Sequence, residues 1–278
     1  MTEFPNPAAD IASAFVSARL AARAIETYPG ALPQSLSEAY AVQDLAIAAW
    51  PEPVVGWKVG RINGDDVALH GTDRLAGPIF PSQVTAASNS ASGMPVFRGG
   101  FAAVEGECVI IAARDAPTMK TDWTREEAID MIGAIHAGVE IASSPFAGIN
   151  DFGPLVTISD FGNNFGLVIG DKIPNWRDLA IDEWSFETIL DGICVGRSTP
   201  GSIPGGPVES FRFILENAAR RGLPIKKGSA ISTGAVTGVH VAAISQSATI
   251  KATGVNDIRV HLIEAAPRTE TADSPRTL

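Results

Sequence analysis

The chain has 278 residues, 45% of them hydrophobic and 19% charged, enough for one large domain or two modest ones around a full core. Its formal net charge of −10 opposes phosphate backbones and anionic lipid, so neither nucleic acid nor membrane is an expected partner. No apolar run nears the roughly 20 residues that span a bilayer. MTEFPNPAAD does not read as a signal peptide, and Cys108 and Cys194 form neither a CxxC motif nor a disulfide framework. A cytoplasmic protein is expected, with both cysteines acting as small buried hydrophobes.

The first fifty residues read as helical. Asp10 can cap a helix through IASAFVSARLAARAIETY, closed by Pro29-Gly30. Ser35 and Glu38 have capping-box spacing at the start of a second helix, which Pro51 and Pro53 stop. VVGWKVG (54–60) reads as a strand. Residues 61–93, rich in Gly, Asp, Ser and Asn, read as a long loop or lid. FAAVEGECVIIAA (101–113) is a strand. Thr124 and Glu127 open a helix to about His136, which would act as a structural cap, and AGVEIAS (137–143) follows as a strand. GLVIG (166–170) and a hairpin turning at Asp191-Gly192 into ICVGRS come next. Residues 206–221 form an amphipathic helix capped by Gly222. The end is β-rich, and 266–278 read as a disordered tail. The expected organisation is a helical part (1–54), a β-rich catalytic domain (55–265) and that tail.

Glu105 and Glu107 lie two apart on a strand, so their side chains share a face. Two like charges about 7 Å or less apart on an apolar strand are costly unless a cation lies between them. Glu140 sits on another apolar strand. Three hard oxygen ligands favour Mg²⁺ or Mn²⁺ over Zn²⁺. The plainer reading is a solvent-facing E-x-E pair on an amphipathic strand.

The ordered blocks GWKVG (56–60), VEGE (104–107), GVEIASS (138–144), ISDFGNNFGLVIG (158–170), GGPVESFRFILENAARRGLPIKKG (205–228) and STGAVTG (232–238) resemble the 2-keto-4-pentenoate hydratase branch of the fumarylacetoacetate hydrolase superfamily, over roughly residues 35–264. The resemblance implies an α+β fold, a mixed β-roll with an N-terminal helical part, and a homo-oligomer. It implies that Glu105, Glu107 and Glu140 hold Mg²⁺ or Mn²⁺. It also implies that Lys58 is catalytic, that Ser232, Thr233 and Gly234 hold a substrate carboxylate, and that Asp160 belongs to the site. The chain departs from the pattern at Arg61-Ile62-Asn63, at Phe161, and at Leu75, where hydratases carry an acid. Asp73 is the nearest substitute for that acid.

A small 2-oxo acid is the expected substrate. The leading reading is addition of water to a 2-oxo-dienoate, in aromatic catabolism. A decarboxylase or carbon–carbon hydrolase on the same metal is the first alternative, and a non-catalytic carboxylate-binding relative the second. Lys58, in an apolar strand, is either a proton donor or a lysine that snorkels to solvent. His70 and Asp73 are either a base pair or two unrelated loop residues, and Arg74 is a candidate for a distal carboxylate. Asn163 and Asn164 either line the pocket or build a turn.

Overall fold

The computed structural model describes residues 6–178 and 180–268. Helix α1 spans Pro7–Leu20, and its cap is Asn6, which accepts the Ala9 N–H at 3.4 Å. Asp10 sits instead in the first turn, where its charge meets the positive end of the helix. The helix stops well short of Tyr28. Ala22 turns left-handed (φ 49°), the Arg23 N–H returns to the Ala18 carbonyl, and Ile25 bridges to Phe146. That reversal puts Ile25 and Tyr28 against the cluster holding Phe15 and Phe146. Helix α2 spans Leu36–Ala49 with Ser35 as its cap. The box is only half formed, because Glu38 accepts from the Gln34 N–H rather than that of Ser35.

Strand β1 (Gly56–Arg61) follows as expected. The segment expected as a long loop carries α3 (Asp65–His70), β2 (Arg74–Ile79), β3 (Val84–Ala86) and β4 (Ser92–Val96). Strand β2 is buried throughout, so RLAGPI shows no alternation, and its proline is tolerated because β2 is a sheet edge. Next come β5 (Phe101–Ala112), α4 (Arg125–Asp130) and β6 (Ile132–Ser144). The Thr124–Glu127 capping box forms, but α4 ends at Asp130 because β6 pairs with β5 along almost its whole length. His136 therefore lies in a strand, its Nδ1 2.9 Å from the Gly170 carbonyl oxygen, and caps no helix.

The chain continues with α5 (Pro154–Ser159), β7 (Asn164–Lys172), β8 (Phe186–Leu190) and β9 (Ile193–Ser198). Asp191 and Gly192 turn the β8–β9 hairpin with positive φ at both positions, as a two-residue hairpin turn requires. Helix α6 (Gly206–Arg220) precedes β10 (Ala230–Ala235), β11 (His240–Val241), β12 (Ser247–Ala252) and β13 (Ile258–Glu264).

The fold is α+β, with mixed sheets. One sheet runs β2-β1-β10-β5-β6-β7-β3, with β11 on β5; the other runs β4-β13-β12-β8-β9. Alternation along β5 divides its side chains. Val104, Cys108 and Ile110 join the main core with Phe186, Ile250 and Val260 of the second sheet. Gly106 shares their face, and a Cβ there would meet Thr188 and Ile250. Glu105 and Glu107 point the other way.

At the end of the described chain, the Arg268 N–H donates to the Leu20 carbonyl and its guanidinium lies 2.8 Å from Glu52. Residues 266–268 of the expected tail are thus tied down, and 269–278 lie outside the described residues. Cys108 is buried but Cys194 is exposed, against expectation, because β9 is an edge strand open to solvent. Among the described residues no helix is long and apolar enough to cross a membrane.

Candidate active site

Register assembles the site. Glu105 lies opposite Glu140 across β5–β6, Glu107 opposite Ala235 across β5–β10, and Lys58 opposite Ser232 across β1–β10. Four adjacent strands thus bring Lys58, Ser232 and three glutamates together. A break in register between Ser232 and Ala235, with Gly234 at φ 117°, turns the Gly234 N–H onto Glu107 Oε2 at 2.8 Å.

One oxygen from each glutamate lies within 4.8 Å of the others, and all three residues are buried. Glu107 Oε1 and Glu140 Oε2 have no hydrogen-bond partner. Orphaned carboxylate oxygens facing one another are costly in a low dielectric, and a divalent cation is the group that would satisfy them. A set of oxygen donors, with no histidine or thiolate among them, fits Mg²⁺ or Mn²⁺. Protons are the substitute for an ion. Burial and the neighbouring Glu140, partly offset by Lys58, push the Glu105 carboxyl up to about 7. Burial, Glu140 and Glu105 push Glu107 well above the usual carboxylate range.

Lys58 Nζ lies 3.2 Å from Glu140 Oε1. Burial alone would lower its ammonium, but Glu140, Glu105 and Glu107 outweigh burial and hold it above the ordinary lysine range. Lys58 therefore stays charged rather than snorkelling out. Its stem has room because Gly162 carries no side chain: a Cβ there would stand 3.2 Å from Lys58 Cδ.

The ligand carboxylates are themselves held. The Ser232 hydroxyl donates to Glu107, and Asn164 Nδ2 donates to Glu140 Oε1 at 3.1 Å. The Thr233 hydroxyl donates to the Cys108 carbonyl at 2.8 Å. The Ser232-Thr233-Gly234 turn thus spends these donors on Glu107 and the backbone, although Thr233 and Gly234 still line the cavity.

That cavity, of about 560 Å³, is walled by Lys58, Glu105, Arg74, Leu75, Asn163 and Thr233 among others. Leu75, where an acid was the family expectation, is buried opposite Gly60. Arg74 reaches the wall with its guanidinium already engaged: 2.5 Å from Asp73, and donating to the Pro204 carbonyl and Ser210. Asp73 lines both the cavity and a groove between α2, α3 and α6 that also holds His70, which faces Asp66 at 3.9 Å. Among the described residues His70 and Asp73 thus share that groove but form no hydrogen bond or ion pair with each other.

Asp160 is not among the cavity walls. It is buried in an ion pair with Arg19 (Nε to Oδ1, 2.5 Å) and accepts the Ser144 hydroxyl at 2.6 Å. Arg19 further donates to the carbonyls of Asn164, Ser143 and Asp160 and stacks between Phe97, Phe161 and Phe165. Sequence reasoning missed Arg19; its only signal was an arginine in the last turn of a largely apolar helix. Phe161, Gly162 and Asn163, just after Asp160, all have positive φ. Asn163 both builds that turn and lines the cavity.

No family model matches the chain. It is 23% identical over 233 residues to the 2-keto-4-pentenoate hydratase of Paraburkholderia phymatum, covering 81% of this chain and 86% of the relative. It is 24% identical to the hydratase of that name from Burkholderia vietnamiensis, covering 82% and 86%. Among solved structures it is similar to 4-oxalocrotonate decarboxylase from Pseudomonas putida G7, complexed with magnesium and adipate, at a TM-score of 0.75 and 18% identity over 92% of this chain and 97% of that one. Fumarylpyruvate hydrolase from Pseudomonas aeruginosa, in complex with Mn²⁺ and pyruvate, aligns at a TM-score of 0.54 and 15% identity over 77% and 91%. The shared fold is that of the fumarylacetoacetate hydrolase superfamily.

Proposed function

We propose that this chain, with the fold of the fumarylacetoacetate hydrolase superfamily and sequence similarity to 2-keto-4-pentenoate hydratases, is a divalent-metal-dependent hydratase. It would add water to a 2-oxo-dienoate to give a 4-hydroxy-2-oxo acid, in aromatic catabolism. The observation that carries the reading is the buried cluster of Glu105, Glu107 and Glu140, with two orphaned oxygens, beside a charged lysine on the wall of a cavity sized for a small acid. The names of the two relatives support the choice of reaction.

Glu105, Glu107 and Glu140 would hold Mg²⁺ or Mn²⁺, which draws electron density from a chelating 2-oxo acid and stabilises negative charge developing on its ketone oxygen. Ser232, the Gly234 N–H and Asn164 keep two of the three carboxylates in place. Lys58 stands ready, fully protonated, to donate a hydrogen bond or a proton to the substrate's developing charge. Leu75 and Ile203 are buried apolar residues of the cavity wall.

One observation favours a second reaction on the same site. Leu75 offers nothing to orient water where hydratases carry an acid, so decarboxylation of a 2-oxo acid is the other reading. We also place the enzyme in the cytoplasm, where the exposed Cys194 thiol would stay reduced, and read it as a homo-oligomer, with exposed Ile193, Val195 and Val241 available for a subunit contact.

Mg²⁺ or Mn²⁺ should raise the melting temperature of the wild type and leave Glu105→Gln/Glu107→Gln unmoved. Equal behaviour of the two proteins would remove the metal site and both reactions with it. Loss of ultraviolet absorbance from 2-hydroxypenta-2,4-dienoate by the loaded wild type then supports the hydratase, and metal binding without that turnover refutes it in favour of the alternatives, a decarboxylase, a carbon–carbon hydrolase or a non-catalytic carboxylate-binding relative.

A further inference from the structure

We propose that Arg19, on α1 and outside the cavity, is a positioning residue for the metal site: through Asn164 it holds Glu140 in the orientation that leaves one carboxylate oxygen free for the ion. The proposal rests on the reading of Glu105, Glu107 and Glu140 as metal ligands.

The two carboxylate oxygens of Glu140 have different surroundings. Asn164 Nδ2 donates to Oε1 at 3.1 Å, and Lys58 Nζ lies 3.2 Å from the same atom. Oε2 has no partner. Donors gathered on one oxygen fix the carboxylate plane and leave the other oxygen to a cation. Lys58 reaches Glu140 on a long stem, whereas Asn164 is short, so its aim is set by its backbone. Regular strand pairing does not set that backbone. Leu167 is the residue opposite Glu140 in β6–β7, and the register shifts between Ile141 and Ala142, where Ala142 meets Asn164. The chain also enters Asn164 through Phe161, Gly162 and Asn163, with φ of 55°, 62° and 68°. Non-glycine residues adopt such a run at a cost, and it holds only where its surroundings enforce it.

Arg19 supplies that enforcement. It is buried, and its guanidinium donates to the carbonyls of Asn164 at 3.0 Å, Ser143 at 3.2 Å and Asp160 at 3.2 Å. Its other bonds go to the Asp160 carboxylate, at 2.5 and 2.9 Å. One rigid fork therefore ties the residue before the turn, the residue after it and the strand that carries Glu140. Fastening α1 to the rest of the fold would need only the pair with Asp160. The bonds to Ser143 and Asn164 do something more, since they grip both strands beside the register break. The turn is closed from its other side as well: a Cβ on Gly162 would lie 2.9 Å from Gly77 Cα and 3.2 Å from Lys58 Cδ.

The test reads Mn²⁺ binding by titration calorimetry in the full chain, for wild type, Arg19→Lys, Asn164→Ala and the two changes combined. Melting curves establish that each protein is folded at the titration temperature. Lysine keeps a cation beside Asp160 but replaces the fork by a single ammonium. Asn164→Ala and Arg19→Lys should each weaken Mn²⁺ binding about tenfold, the lower end for a residue that orients a metal ligand. The combined variant should bind no more weakly than Asn164→Ala alone, because both changes remove one and the same interaction. Arg19→Lys that binds Mn²⁺ as the wild type does overturns the proposal, and so do losses that multiply in the combined variant. If Arg19→Lys does not fold, Arg19→Met/Asp160→Leu replaces the ion pair by apolar side chains and carries the same comparison; its Mn²⁺ affinity should fall about tenfold although its stability is partly recovered, and wild-type affinity overturns the proposal. A wild type that binds no Mn²⁺ overturns the metal reading, and the proposal with it.

Discussion

Without a metal, the carboxylate cluster makes the protein less stable as pH rises, and the effect can be sized. Glu105 moves from 4.5 to about 7, with burial as the leading cause. A carboxyl whose folded pKa exceeds its unfolded value binds more protons folded than unfolded between the two. Its contribution is therefore fully present below about pH 4.5 and lost as pH climbs through about 7. At about 1.4 kcal/mol per unit this amounts to roughly 3 kcal/mol. At about 2.1 cal/mol/K of unfolding entropy per residue, such a loss lowers the melting temperature by on the order of 5 °C between pH 5 and pH 8. Divalent cation should remove the fall. Ion at about 100 times its dissociation constant returns roughly 2.7 kcal/mol, and its affinity grows with pH because it competes with protons for the same oxygens. The assay is calorimetric melting of chelator-treated protein from pH 5 to 8, with and without Mg²⁺, beside Glu105→Gln. That variant cancels other titrations in the window, such as His240, whose pKa burial lowers and which works in the opposite direction. Equal pH slopes for wild type and Glu105→Gln without metal would refute the argument that buried like charges dominate this site.

Three further outcomes test the shell around the cluster. Ser232→Ala removes a hydrogen bond that favours ionised Glu107, so Mn²⁺ affinity measured by titration calorimetry should drop about tenfold, the lower end for a residue that orients a metal ligand. Lys58→Met should abolish turnover while the Mn²⁺ complex still forms, because Lys58 faces the ligands without being one; unchanged turnover would dismiss its proposed role. Arg19→Met leaves Asp160 buried without its partner and should cost about 3–5 kcal/mol in denaturant unfolding. Arg19→Met/Asp160→Leu should recover part of that loss, whereas a double variant less stable than either single one would contradict an ion-pair origin.

The parts of this site that the sequence revealed are those set by local rules. Alternation along β5 placed Glu105 and Glu107 on one face, opposite Gly106. The Ser35 and Thr124 caps, the Asp191-Gly192 turn and the glycine closing α6 were legible for the same reason, since each depends on residues only a few positions apart. The features that went unread depend on distant partners. The Arg19–Asp160 pair joins residues 141 apart in the chain, so nothing local to Asp160 announced the arginine that holds it. Strand β2 was hidden because burial on both faces erases alternation and its Gly77-Pro78 looks like a loop. What makes Gly77 necessary is the Phe161 carbonyl, which packs against it from the far side of the sequence.

The same geometry bears on which reaction the cavity serves. A hydrolase of the kind that activates water with a histidine–acid pair needs that pair in the cavity. Here His70 lies outside the cavity and faces Asp66, while Asp73, which lines both the cavity and the His70 groove, pairs with Arg74. Arg74 in turn has its guanidinium engaged from three sides, so binding a second substrate carboxylate would mean displacing Asp73, which costs more than adding a free counter-ion. Leu75 is apolar, so this position of the wall offers neither an acid nor a base to a water. Lys58, buried on the same wall and held in its charged form by Glu140, Glu105 and Glu107, is able to donate a hydrogen bond or a proton to a substrate oxygen but not, while charged, to take a proton away.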